Sequence, residues 1–191
     1  MKKHLSMLAA ALIAAGTFSA PATAAEHYLS GNVGFAWVND VPTVAAFNLS
    51  PDAGVSMLGA IGCDYGSYRL EAEAGYQNNN FVNNGTIKIV SLLGNGYYDF
   101  NTAGVKPYIT GGIGVATVRL RDITLNSNVR LDDDETTFAY QVGAGLQVPL
   151  TNKVMLDARY RYFGTTEFRT TLTGDKSIDS NSLLLGLRVN F

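Results

Sequence analysis

Eight strand-like segments lie between Tyr28 and Phe191, and in six of them apolar and polar residues alternate with a period of two. The last segment is the plainest. Phe191, Val189, Leu187, Leu185 and Leu183 are all large and apolar, while Asn190, Arg188, Gly186, Leu184 and Ser182 between them are mostly polar or small. A residue pattern of period two is that of a β-strand with one oily face. Tyr28–Val38 repeats it, with Leu29, Val33, Phe35 and Trp37 against Tyr28, Ser30, Asn32 and Gly34. Val55–Tyr65, Tyr68–Gln77, Phe138–Val148 and Val154–Tyr162 follow the same rule. Two segments are less clear. Ile87–Phe100 is oily on both faces at its start, and Pro107–Leu120 is too rich in glycine for its faces to be assigned.

The connections alternate in length. Short ones fall around Gly66, at Asn101–Lys106 and at Thr151–Lys153. Long polar or irregular ones fall at Asn39–Gly54, Asn78–Thr86, Arg121–Glu135 and Gly164–Asp179. Strands of about ten residues joined by alternating short turns and long loops are what a tilted crossing of an outer membrane requires. The predicted fold is therefore all-β: an eight-stranded antiparallel transmembrane barrel with both termini periplasmic. A closed barrel has no free edge, and lipid covers its oily face. A soluble lipocalin-like barrel would need a water-facing exterior rich in Lys and Glu. Here the less oily face consists instead of Gly, Ala, Ser and Gln with a few charges, which suits a narrow interior. Aromatic residues near strand ends (Tyr65, Tyr68, Tyr98, Phe100, Tyr160, Tyr162, Phe191) suit a membrane-interface girdle.

Residues 1–24 are predicted to be a secretory signal. Lys2-Lys3 precedes a short apolar run from Leu5 to Gly16, and small residues at Ala22 and Ala24 set a cleavage point after Ala24 or Ala25. The barrel domain would then be 25–191. Without Lys2 and Lys3 the fourteen basic residues become twelve against sixteen acidic ones, a formal charge of −4. That balance excludes a nucleic-acid partner, which needs a basic stripe. Cys63 is alone, so an internal disulfide is excluded, and it lies too late to carry a lipoprotein anchor.

Several segments resemble a family. Pro107-Tyr108 leading into Thr110-Gly111-Gly112-Ile113-Gly114, then Gln141-Val142-Gly143-Ala144-Gly145, Leu156-Asp157-Ala158-Arg159-Tyr160-Arg161-Tyr162-Phe163 and the terminal Phe191 are similar to the small outer-membrane β-barrel surface antigens related to the OmpA transmembrane domain and the opacity proteins. The resemblance spans the barrel domain. It implies that the final strand, with Leu187, Val189 and Phe191, is the signal read by the barrel-assembly machinery. It also implies envelope integrity, adhesion or immune exposure as roles. The peptidoglycan-binding domain of OmpA has no counterpart in the sequence, so that tether is not expected.

Candidate chemistry is sparse. The assigned faces send Arg69, Glu71, Glu73, Asp99, Asp157, Arg159, Arg161 and Arg188 inward, four positive and four negative. A balanced set in a narrow lumen reads as an interlocked plug, because an unpaired buried charge is costly. The functional alternative is a gated path for ions or small solutes. Some small barrels modify lipids, but His27 is the one histidine after the signal, so a serine–histidine site is not expected. No catalytic, metal or cofactor residues are assigned. The acidic run Leu131–Glu135 lacks the spacing of a calcium loop and reads as a solvated loop, able to meet lipopolysaccharide phosphates through divalent ions. Val41–Leu49 is unusually apolar for an extracellular loop. Val44, Phe47 and Leu49, with Phe81 in the next loop, are candidate contacts for a host or matrix ligand. The expected protein is a monomeric surface structural or interaction barrel, held by outer-membrane lipid and lipopolysaccharide.

Overall fold

The computed structural model describes residues 25–38, 53–80, 86–124, 130–166, 168–170 and 174–191, with backbone alone at 120–124, 130–133, 168–170 and 174–176. No helix occurs among them. Ten strands run in chain order: β1 (Glu26–Val38), β2 (Gly54–Asp64), β3 (Tyr68–Asn80), β4 (Thr86–Asp99), β5 (Lys106–Thr124), β6 (Arg130–Pro149), β7 (Val154–Thr165), β8 (Phe168–Thr170), β9 (Gly174–Lys176) and β10 (Asp179–Asn190). Eight of these close an antiparallel barrel in the order β1-β10-β7-β6-β5-β4-β3-β2, and β8 and β9 form a separate two-stranded sheet.

The seam is made by the strand that the sequence marks most clearly. β10 pairs with β1 from Tyr28↔Asn190 to Val38↔Ser180, and Phe191 donates its N–H to the His27 carbonyl at 3.0 Å. Every wall strand then has two neighbours, so the backbone polar groups in the hydrocarbon layer are satisfied without water. Tight turns join the strands at the end that carries both termini. Gly66 takes a φ of 93° there, a left-handed conformation that glycine adopts freely, and its N–H donates to Asp64 Oδ1 at 2.8 Å.

Period two sorts the wall as the sequence predicts. Val33, Phe35, Met57, Ile61, Ile113, Val142, Leu183, Leu185 and Leu187 point outward and are exposed. Their exposure in the isolated chain is the apolar band that lipid covers. Tyr68, Tyr98 and Phe100 form an edge-to-face row on the exterior near the turn end, at centroid separations of 5.3 and 5.1 Å. The structure also settles the two ambiguous strands. Ile87, Ile89, Ser91, Leu93, Asn95, Tyr97 and Asp99 of β4 face inward, as do Tyr108, Thr110, Ala116 and Val118 of β5.

Two predicted connections differ. The segment Arg121–Glu135, expected as a loop, is mostly strand: β5 and β6 run 19 and 20 residues against 11 to 14 for the other wall strands. The acidic run 131–135 therefore lies in β6 and not in a solvated loop. It pairs with β5, where Asp134 meets Arg119 at 3.6 Å and the Thr117 and Thr136 hydroxyls bond at 2.9 Å. Cross-strand pairing of this kind holds residues that alone favour turns. Likewise the segment Gly164–Asp179 contains the small β8–β9 hairpin.

Glycines inside the wall give the large interior rings their space. A Cβ on Gly145 would stand 2.4 Å from the Tyr108 ring and hydroxyl, whereas one on the outward Gly111 would meet nothing nearer than 4.0 Å. Gly145→Val should therefore abolish the heat-resistant folded band in a gel mobility assay, and Gly111→Val should retain it. Equal folding of both variants would show that the lumen tolerates displacement of Tyr108.

Candidate functional site

The lumen is where the charged residues meet. β3 brings in Arg69, Glu71 and Glu73 at alternate positions, β4 ends on Asp99, β7 supplies Asp157, Arg159 and Arg161, and β10 supplies Arg188; all eight are buried. Arg69 grips Asp99 with two parallel bonds, Nε to Oδ2 at 2.6 Å and Nη2 to Oδ1 at 2.8 Å. This bidentate geometry is the strong form of a guanidinium–carboxylate pair. Arg159 joins Glu73 at 2.9 Å and Asp157 at 3.6 Å, and Arg161 reaches Glu73 at 3.7 Å. Arg188 pairs with Asp64. Asp64, at the inner end of β2, belongs to the network although the sequence reading left it out, so four guanidiniums meet five carboxylates.

The fifth carboxylate is held differently. Glu71 accepts from the Tyr97 hydroxyl at 2.6 Å, the Tyr28 hydroxyl at 3.1 Å and Ser30 at 3.3 Å. Tyr108 donates to Asp157 at 2.8 Å, as does Asn32. Gln141 bridges Asn95 at 2.7 Å and Glu73 at 3.2 Å. The tyrosine rings serve the cations as well as the anions. The Arg69 guanidinium carbon lies 4.2 Å from the Tyr97 ring centroid and 5.1 Å from that of Tyr108, and Arg188 lies 4.6 Å from Tyr28. These are cation–π distances, and desolvation strengthens such contacts. Tyr28, Tyr97 and Tyr108 were not marked by the sequence as partners, although alternation with Asn32 and Asp99 places Tyr28 and Tyr97 on the inner face.

Above this network, at the end opposite the termini, the lumen changes character. Val38, Ile87, Ile89, Leu93, Ala116, Val118, Ala139, Phe163 and Ile178 are buried together in one apolar cluster. The oily start of β4 on both faces was its trace in the sequence. Apolar side chains thus pack on one side of the charged layer, with Gln77, Asn79 and Ser180 buried among them.

The remaining candidates lie apart. His27 and Cys63 sit on the wall at the terminal end, with Nδ1 and Sγ 3.4 Å apart, away from the charged network. Among the described residues no three of His, Cys, Asp or Glu are grouped to hold a metal ion. Leu187, Val189 and Phe191 line the outer face of β10. Val44, Phe47, Leu49 and Phe81 lie outside the described residues.

Residues 10–191 match the family described as the outer membrane protein beta-barrel domain. The chain belongs to that family. Its place is the cell outer membrane. The relative PagN, an outer membrane protein of Salmonella typhimurium, is 29% identical over 121 residues, covering 55% of this chain and 51% of PagN. The chain spans little more than half the length of the curated relatives it matches. Among solved structures, Neisserial surface protein A superposes with a TM-score of 0.65 at 22% identity, covering 86% of this chain and 97% of that one. Ail, the attachment invasion locus protein of Yersinia pestis in complex with the heparin analogue sucrose octasulfate, superposes with a TM-score of 0.55 at 14% identity, covering 88% and 100%. These likenesses concern the fold.

Stability should depend on the interior pairs. Glu73→Gln, which removes the carboxylate that both Arg159 and Arg161 meet, or Arg159→Gln, which leaves Glu73 the 3.7 Å contact with Arg161, should cost about 3 kcal/mol in denaturant unfolding of the refolded barrel. The double variant should cost less than the sum of the two. Additive losses would show that the pair is not coupled.

Proposed function

We propose that this outer-membrane barrel is a closed, non-conducting surface protein that serves envelope structure and presents its loop end for interaction. The observation that carries the reading is the filled lumen, a charged layer of salt bridges and tyrosine hydroxyls backed by an apolar cluster. A conducting path would require both layers to open. Hydrophobic constrictions exclude water and ions even where polar groups lie beyond them.

In this reading residues 1–24 are a signal removed on export, and both termini and the short turns are periplasmic. The β5–β6 hairpin then stands outside. Leu187, Val189 and Phe191 present the apolar edge that the assembly machinery reads, and the monomeric barrel sits among lipid and lipopolysaccharide. The complex of Ail with a heparin analogue supports a ligand-binding role for such a barrel. The ligand of this chain need not be the same. The lumen offers no histidine beside a serine, which favours a binding role over a catalytic one.

Two measurements test this. Planar bilayers containing the refolded barrel should be electrically silent, and Arg159→Ala should leave them silent because the apolar layer persists. Steady ion-selective openings in either protein would make transport the function. Orientation is tested separately with a membrane-impermeant maleimide on intact cells. A cysteine at Thr124 (in a Cys63→Ser background) should react, and native Cys63 should react only after lysis. The reverse pattern would turn the barrel over.

A further inference from the structure

At the loop end of the apolar band two cations face each other across the wall. Lys88 of β4 is the direct partner of Arg119 of β5. Both stand on the outer face, since Ile87, Ile89 and Val118 beside them are buried inward and Val90, the next outward residue of β4, is exposed. Directly opposed residues of an antiparallel pair hold their Cβ atoms about 5 Å apart, and like charges so placed weaken the pairing. Among the described residues Lys88 has no hydrogen-bond or ion-pair partner. Arg119 meets Asp134 at 3.6 Å with both side chains about half exposed, so a long contact offsets one of the two charges in part. Glu135 is the partner of the inward Val118 and lies on the other face, and Asn78, on the far side of Lys88, is neutral. The described side chains thus leave this spot positive, and an anion between Lys88 and Arg119 would remove the repulsion.

The height of the pair on the wall says which anion. The next outward row toward the turns begins with Tyr76 and Val90, directly opposed and both exposed, and runs on to Thr117 and Thr136, whose hydroxyls meet at 2.9 Å. Below Thr136 comes Phe138, again exposed. Two residues of strand, roughly 7 Å, therefore separate the cations from the lipid-facing side chains. A tyrosine at that boundary is the usual mark of the membrane interface. An anion carried on a hydrocarbon tail satisfies both rows together, whereas a dissolved ion would use the cations alone. We propose that Lys88 and Arg119 hold the phosphate of a lipid headgroup whose acyl chains lie against Val90 and Phe138. A guanidinium offers a phosphate paired N–H donors, and an ammonium beside it adds a point charge. Both charges lie close enough to the bilayer surface to favour anionic lipid over neutral lipid.

This rests on the surface reading above only for the leaflet that supplies the lipid. The test uses the refolded barrel in detergent, so its outcome is independent of orientation and of the maleimide experiment. Lipid retained by the folded barrel is counted by native mass spectrometry after addition of diphosphorylated lipid A, or of the same lipid with its phosphates removed. The phosphorylated lipid should be retained and the dephosphorylated one should bind about tenfold more weakly. The variant K88Q/R119Q, checked for folding by gel mobility, should also bind the phosphorylated lipid about tenfold more weakly, as expected for the loss of two charges near the headgroup. K88R should bind as the parent does, and so should K106Q/K153Q, which removes two exposed cations at the turn end. Inorganic phosphate at the same concentration should not displace the lipid. The proposal is overturned if the folded barrel retains neither lipid, if it retains both alike, or if K88Q/R119Q binds unchanged. It is equally overturned if K106Q/K153Q loses as much binding, or if inorganic phosphate displaces the lipid.

Discussion

Everything in this molecule depends on the closure of β10 against β1. In hydrocarbon an unbonded peptide N–H or C=O has no water to turn to, so an open sheet is excluded and a closed one is required. Eleven consecutive residue pairs, Tyr28↔Asn190 to Val38↔Ser180, make that closure. Once the ring is closed, each strand has only an inside and an outside. A slip of one residue at the seam would turn Leu183, Leu185 and Leu187 into the lumen and Arg188 into lipid. Register and burial are therefore one constraint, and the oily face of β10 fixes both.

Closure of only eight strands has a second consequence. The lumen is just wide enough for side chains, and it must be filled. Guanidiniums and carboxylates fill it at the terminal end, where each charge finds a partner: Arg69 with Asp99, Arg159 with Glu73, Arg188 with Asp64. Glu71 shows that the filling is more than charge counting, because tyrosine hydroxyls take the place of a cation around it. The rings that carry those hydroxyls need room, and Gly62 and Gly145 leave it, since a Cβ at either would strike Tyr28 or Tyr108.

Much of this was legible in the alternation. β1, β2, β3, β6, β7 and β10 could be read because one face is oily and the other small or polar. All eight interior charges named from the sequence fall inside for the same reason. Legibility failed where the physical contrast between faces fails. β4 carries Ile87, Ile89 and Leu93 inward opposite Val90 outward, so no alternation marks its first half. Asp64 stands at a strand end, where inside and rim look alike in sequence. The acidic run at 132–135 resembles a loop by composition, and only its pairing with β5 makes it strand. The hydroxyl–carboxylate contacts of Tyr28, Tyr97 and Tyr108 join strands up to 49 residues apart, a distance that no local pattern reports.

The division of the lumen into a charged layer and an apolar layer links stability to the surface role. Salt bridges gain strength as water is withdrawn, yet withdrawing it also raises the cost of any charge left unpaired. The cluster of Val38, Ile87, Ile89, Leu93, Val118 and Phe163 packs at the loop end alone. The charged layer is thereby locked at the end where the tight turns and both termini lie. The apolar side chains of the other layer, with Gln77, Asn79 and Ser180 hydrogen-bonded among them, ask chiefly for volume, and apolar packing of conserved volume tolerates exchange far better than a broken ion pair does. Strands can therefore be lengthened or loops altered beyond the apolar layer without disturbing the charged one. The 19- and 20-residue β5 and β6 extend beyond it in that way. The fold thus separates the part that must stay fixed from the part that can vary.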